Sequence, residues 1–106
     1  MEKIEIKTFT KDNSNIDIQI KRDVSLKHIQ KLYSELHKIK DSYKKYTISY
    51  SEVNNIDPAG FQILYSYIKL LQKRRKEIYI ADQFNDELIK ILNWAGLLDI
   101  LYLKNK

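Results

Sequence analysis

Cysteine is absent from this chain. Disulfides and thiolate metal sites are therefore excluded. Glycine occurs only twice, at Gly60 and Gly96. Neither a Walker A loop nor a Gly-x-Gly-x-x-Gly turn can be built from so few. The two histidines, His28 and His37, stand nine residues apart. On one helix that spacing puts them on different sides, so no shared metal is expected. Both are expected at the surface, away from the central segment described below, and no serine-histidine-acid arrangement is expected either. No apolar run approaches the eighteen or so residues of a membrane span. No charged-then-apolar leader opens the sequence, so a secretory signal is not expected and a cytoplasmic location is. Repeats, linkers and low-complexity segments are also missing. Residues 1–106 read as one domain.

What is present suffices for a core. A chain of 106 residues buries roughly two-thirds of its unfolded surface. The formal charge is +5, with the cations mostly interleaved among acids. One run stands out, Lys73-Arg74-Arg75-Lys76. It falls at the end of a predicted helix, where cations suit the negative end of the dipole. Specific nucleic-acid binding is not expected from it.

Hydrophobic spacing orders the chain. Ile4, Ile6 and Phe9 suggest a half-buried strand, and Ile16, Ile18 and Ile20 a second, joined by the polar turn 11–15 into an antiparallel hairpin. Its charged outward residues point to one solvated face. Leu26, Ile29, Leu32, Tyr33, Leu36, Ile39 and Tyr43 predict an amphipathic helix of about five turns, with Asp23 to Ser25 as candidate caps. Residues 46–51 and 77–81 read as two further strands. Between them, a helix over 61–75 has a core stripe of Phe61, Leu64, Tyr65, Ile68 and Leu71. Ile63, Tyr67 and Leu70 form a third sector. So wide an apolar surface is either covered by a neighbouring helix or offered to a partner. Asn85 caps a third helix whose inward face is expected to be Leu88, Ile91, Leu92 and Ala95, with Trp94 less deeply placed. Gly96 is a left-handed stop. Residues 97–103 suggest a turn and a final strand. The fold class is α/β, a mixed sheet of four to five strands with three main helices.

Local chemistry is densest in Asn54-Asn55-Ile56-Asp57-Pro58-Ala59-Gly60. Asp57 can cap the following helix with its carboxylate. Pro58 suits the first helical position, where its missing N–H costs nothing. Gly60 lies in the first turn, where a better helix former is expected, so close approach by another backbone or by a partner is implied.

With these elements in place, the chain resembles the STAS family, the domain of bacterial anti-sigma factor antagonists and sulfate transporter tails. The resemblance runs from about Ile16 to Leu101. Ile56-Asp57-Pro58-Ala59-Gly60-Phe61 is similar to the family's hydrophobic-Asp-Ser/Thr-Ser-Gly-Leu switch segment. Residues 92–101 resemble its closing helix with Gly-Leu and a hydrophobic end. Asp23 matches a frequent acidic residue after the second strand. The departures concern function. Ala59 stands where phosphorylated members carry the acceptor serine, so the phosphorylation position is lost. Pro58 replaces the preceding Ser/Thr, and Ser49 an aspartate found at the end of the third strand. Ser51 is left as another acceptor near the segment.

The resemblance implies a non-catalytic protein-binding regulatory module without cofactor or metal. Its contact surface is expected at Asn54, Asn55, Asp57, Pro58, Ala59, Gly60 and Phe61, with Ile63 and Tyr67 beside them. The implied partner is an anti-sigma factor of the serine-kinase type. The alternative is a small cytoplasmic STAS subunit docking on the ATPase of a lipid ABC transporter. Membrane insertion is not expected, and a homodimer is left open.

Overall fold

The computed structural model describes residues 3–10 and 12–94. Four strands form one sheet in the order β1-β2-β3-β4: β1 Glu5–Thr10, β2 Asn15–Val24, β3 Lys45–Ile56 and β4 Glu77–Asp82. β1 and β2 make the antiparallel hairpin, while β2, β3 and β4 run parallel. Three helices alternate with the later strands: α1 Ile29–His37, entered through a 3-10 turn at Leu26–His28, then α2 Pro58–Lys73 and α3 Asp86–Trp94. Among the described residues the sheet is thus mixed, with four strands and three helices. A fifth strand, Gly96 as helix stop, and Ala95 lie outside the described residues.

Alternation along the strands builds the core. Ile16, Ile18 and Ile20 of β2, Tyr46, Ile48 and Tyr50 of β3 and Ile80 of β4 are buried. They join Leu32 and Leu36 of α1 and Phe61, Leu64, Ile68 and Leu71 of α2 in one cluster. Asp17, Gln19, Thr47 and Ser49 alternate with the inward residues and are half-buried. Phe9 was expected inward but is 49% exposed. It pairs with Asp17 across the hairpin, so it shares that residue's outward face.

Each of the three helices departs from expectation in part. The first helix is shorter than its periodicity suggests and ends at His37. A helix through Lys40 would need the bond from Lys44 N–H to the Lys40 carbonyl. Tyr46 Oη instead donates to that carbonyl at 2.9 Å, and Lys44 N–H donates to Ser14 O at 2.8 Å. Leu26 and Tyr33, expected inward, are 66% and 53% exposed. In α2, Tyr65 of the expected core stripe is only half-buried, while Tyr67 of the third sector is buried, as expected if a neighbouring helix covers it. α1 packs on that side, with the His37 and Tyr67 rings edge-to-face at 6.0 Å. In α3, Leu88 and Leu92 are buried, but Ile91 is exposed and Ile89 packs against the core in its place. The buried arc runs from Leu88 through Leu92 toward Ile89 and leaves Ile91 outside. Phe84, just before α3, fixes this orientation by stacking on Tyr50 with ring centroids 4.3 Å apart.

Candidate functional site

The segment singled out by sequence lies where β2 and β3 end and α2 begins. Asn54 and Asn55 are strand residues rather than loop residues, because β3 runs on to Ile56. Its pairing with β2 continues through Asp23↔Asn55 and Val24↔Ile56, after two register shifts. Such bulges bend and twist a strand locally, which lets both strands extend past the sheet body.

Two carboxylates hold this end together. Asp57 is the N-cap of α2, and its Oδ1 accepts from Gly60 N–H at 2.8 Å. Its Oδ2 accepts from Leu26 N–H at 2.8 Å, so one side chain ties the starts of the 3-10 turn and α2. Asp23 does not cap the first helix. Its Oδ1 accepts from Asn55 Nδ2 and its Oδ2 from Ser25 Oγ, both at 2.8 Å. Burial disfavours the Asp23 anion. Yet the bonds from Asn55 and Ser25, with the positive field of His28 and Lys27, outweigh burial and hold its carboxyl below the usual range. All four carboxylate oxygens are engaged in holding backbone and side chains, which is a structural use.

Gly60 meets the backbone, as the missing side chain suggested. A Cβ there would press into the Val24 carbonyl and stand 2.7 Å from Val24 Cγ1. The same carbonyl accepts from Asp57 N–H at 3.2 Å. Glycine thus lets α2 start directly against the end of β2.

His28 is not the remote surface residue expected. Its side chain is only 17% exposed, and Nε2 lies 3.4 Å from Asp23 Oδ2. It belongs to the same polar cluster as Asn55. Helical spacing could not show this, because His28 closes a 3-10 turn before α1. His37 is exposed at the other end of α1 and packs against Tyr33 with centroids 4.2 Å apart and the rings tilted by 31°. Among the described residues no group of three His, Asp or Glu side chains could hold a metal.

The expected contact residues divide by accessibility. Asn54, Asn55 and Pro58 are exposed, and Asp57, Ala59 and Ile63 are half-buried. Gly60, Phe61 and Tyr67 are buried, at most 6% exposed for the two aromatics. These three support the surface from beneath and offer little of it. Leu26 was missed: it is exposed and its backbone is bonded to Asp57. Its inward periodicity gave no signal of this. Ser51 is exposed on β3, and Ser49 sits in mid-strand opposite Gln19 and Asp82.

No known family model matches the chain, and no curated protein matches it by sequence. Solved structures do match. The anti-sigma factor antagonist SpoIIAA in its unphosphorylated form superposes with a TM-score of 0.65 at 7% identity, over 88% of this chain and 82% of that one. A sulfate transporter family protein from Wolinella succinogenes gives 0.59 at 20% identity, over 80% and 69%. Mglu gives 0.63 at 10% identity over 72% of this chain, which spans only 19% of that much longer protein. At these identities the shared property is the architecture, and the chain has the STAS-like α/β fold.

Proposed function

We propose that the chain is a non-catalytic regulatory module that acts by binding another protein. Its contact surface is the end of β3 with the first turn of α2: Asn54, Asn55, Asp57, Pro58 and Ala59, extended by Leu26 and Ile63. The observation that carries the reading is Ala59. It lies in the first turn of a well-capped helix, is accessible, and has no hydroxyl. A phosphate there would add about −1.5 to −2 charge and three strong acceptors. Alanine leaves the surface small and neutral, so binding escapes kinase control at this residue. The fold shared with an anti-sigma factor antagonist supports a partner of the serine-kinase type. Likeness to a sulfate transporter family protein favours a second reading, docking on a transporter ATPase through the same surface.

Ala59→Asp and Ala59→Glu test the surface. Near a helix N-terminus a carboxylate stabilises the free domain by about 0.3–1 kcal/mol. At a protein interface the same charge, desolvated and unpaired, costs several kcal/mol, roughly 2–5. Melting should therefore hold while calorimetric titration with a copurified partner loses affinity. Ala59→Ser should be silent until a kinase is supplied. Unchanged affinity in both acidic variants would remove this surface from the interface. Copurification of a kinase or of a transporter ATPase separates the two readings.

A further inference from the structure

The opposite end of the domain carries a charge concentration that the docking surface does not use. Residues 38–45 and 73–77 meet at the N-terminal ends of the parallel strands. Lys44 N–H donates to Ser14 O at 2.8 Å, and Glu77 N–H donates to Lys44 O at 2.9 Å. These two segments hold Lys38, Lys40, Lys44, Lys45, Lys73, Arg74, Arg75 and Lys76 against Asp41 and Glu77, a balance of +6 where the whole chain has +5. The remainder of the sequence therefore sums to −1.

Helix capping explains only part of this pole. α2 ends here, and Lys73 stands in its last turn. Asp41 takes Arg74 at 3.2 Å and Lys76 at 3.7 Å, and Glu35 takes Lys38 at 3.7 Å. Asp12, on the neighbouring turn, is already bonded by Ser14 and Asn15. Lys40, Lys44, Lys73 and Arg75 are exposed along the rim.

We propose that this pole is a peripheral membrane surface that adsorbs, without insertion, to bilayers rich in anionic phospholipid. Three observations favour lipid over nucleic acid. The pole is made of turns, with six lysines to two arginines, and point charges suit a diffuse anionic plane better than bidentate phosphate reading. On the turns the Tyr43 ring packs edge-on to Tyr46 at 5.9 Å, and the exposed Tyr79 ring on β4 lies beneath Lys45 at 5.3 Å. No stacking platform for bases is left on these turns among the described residues. An open groove of about 360 Å³ adjoins the pole, where the half-buried Ile6 and Ile39 stand beside Lys38, Lys40 and the anionic Glu35. Apolar surface next to cations is what a headgroup boundary accepts. The length of β3, roughly 30 Å at about 3.3 Å per residue less its bulges, separates this pole from the Asp57 end. An adsorbed domain would thus face its docking surface away from the bilayer.

The test is cosedimentation of the whole chain with vesicles of phosphatidylcholine alone or mixed with phosphatidylglycerol, at low and high salt. Binding is expected only to the anionic vesicles and is expected to vanish near 1 M salt, where the screening length is about 3 Å. Replacing Lys40, Lys44, Lys73 and Arg75 together by Gln should weaken it roughly a thousandfold, at about 1 kcal/mol per cation. The pair Lys44→Gln with Lys73→Gln should give an intermediate loss, and Lys40→Arg with Lys73→Arg should retain binding. Ala59→Asp should bind vesicles like the parent, which keeps this result independent of the docking surface. Four outcomes would overturn the proposal: no sedimentation with anionic vesicles, equal binding to neutral ones, unaltered binding by the fourfold variant, or displacement by duplex DNA at equal phosphate concentration.

Discussion

Gly60 and Tyr50 show how single positions carry this fold. At Gly60 an added methyl meets a carbonyl that is itself held by Asp57 N–H. Backbone cannot yield as a side-chain tip does, so Gly60→Ala should destabilise by about 1–3 kcal/mol, the range for overpacking. Urea unfolding measures it, and a change below about 0.5 kcal/mol would show that α2 shifts freely. Tyr50 is fully buried, and its hydroxyl has no hydrogen-bond partner among the described residues. Burial accordingly pushes its phenol above the usual range. An unpaired buried hydroxyl costs about 1–3 kcal/mol, while the ring keeps its stack on Phe84. Tyr50→Phe should leave stability equal or raise it by about 1 kcal/mol. A clear loss in a thermal melt would mean the hydroxyl has a partner in solution.

At the scale of elements, α3 separates what periodicity can and cannot tell. Its start was legible: Asn85 Oδ1 accepts from Leu88 N–H at 3.0 Å, and Asp86 and Glu87 occupy the first turn. Its facing was not, because Leu88, Ile89, Ile91 and Leu92 allow two apolar arcs. Only Phe84 stacked on Tyr50 selects the one that excludes Ile91. Leu92→Ala should then cost about 2–5 kcal/mol, and Ile91→Ala under about 0.5 kcal/mol. Chemical denaturation of the pair checks the orientation, and equal losses would refute it. α2 shows the same division. Asp57, Pro58 and Gly60 announced its N-terminus, but the choice of Tyr67 over Tyr65 for burial depended on where α1 lands.

For the whole molecule, the Asp23 cluster predicts an acid limit. Its carboxyl lies below the ordinary value of 3.8 when folded. The folded state therefore gains stability above pH 3.8 and loses it as pH falls through the lower folded value. In Asp23→Asn this acid dependence should flatten, while Asn55 and Ser25 lose an anionic acceptor at all pH values above it. Unfolding followed between about pH 2 and 6 tests the sign, and a steeper acid loss in the variant would contradict it.

The sequence by itself determined the local events. Alternation marked the hairpin, a short apolar run marked β4, capping residues placed the starts of α2 and α3, and Ala59 put a residue without a hydroxyl in the first turn of α2. These follow from bonds within a few residues, which the order of side chains encodes directly. Tertiary structure alone decided the rest. Parallel pairing drew Asn54 and Asn55 into β3, the Lys40 carbonyl beyond α1 took the Tyr46 hydroxyl in place of a further helical bond, and a turn brought His28 beside Asp23. The convergence of residues 38–45 and 73–77 into one cationic pole is of the same kind. The strand pairing and the cationic pole join segments far apart in the chain, and the Tyr46–Lys40 and His28–Asp23 contacts cross turns of six and five residues; each depends on a backbone path that helical or strand spacing does not record.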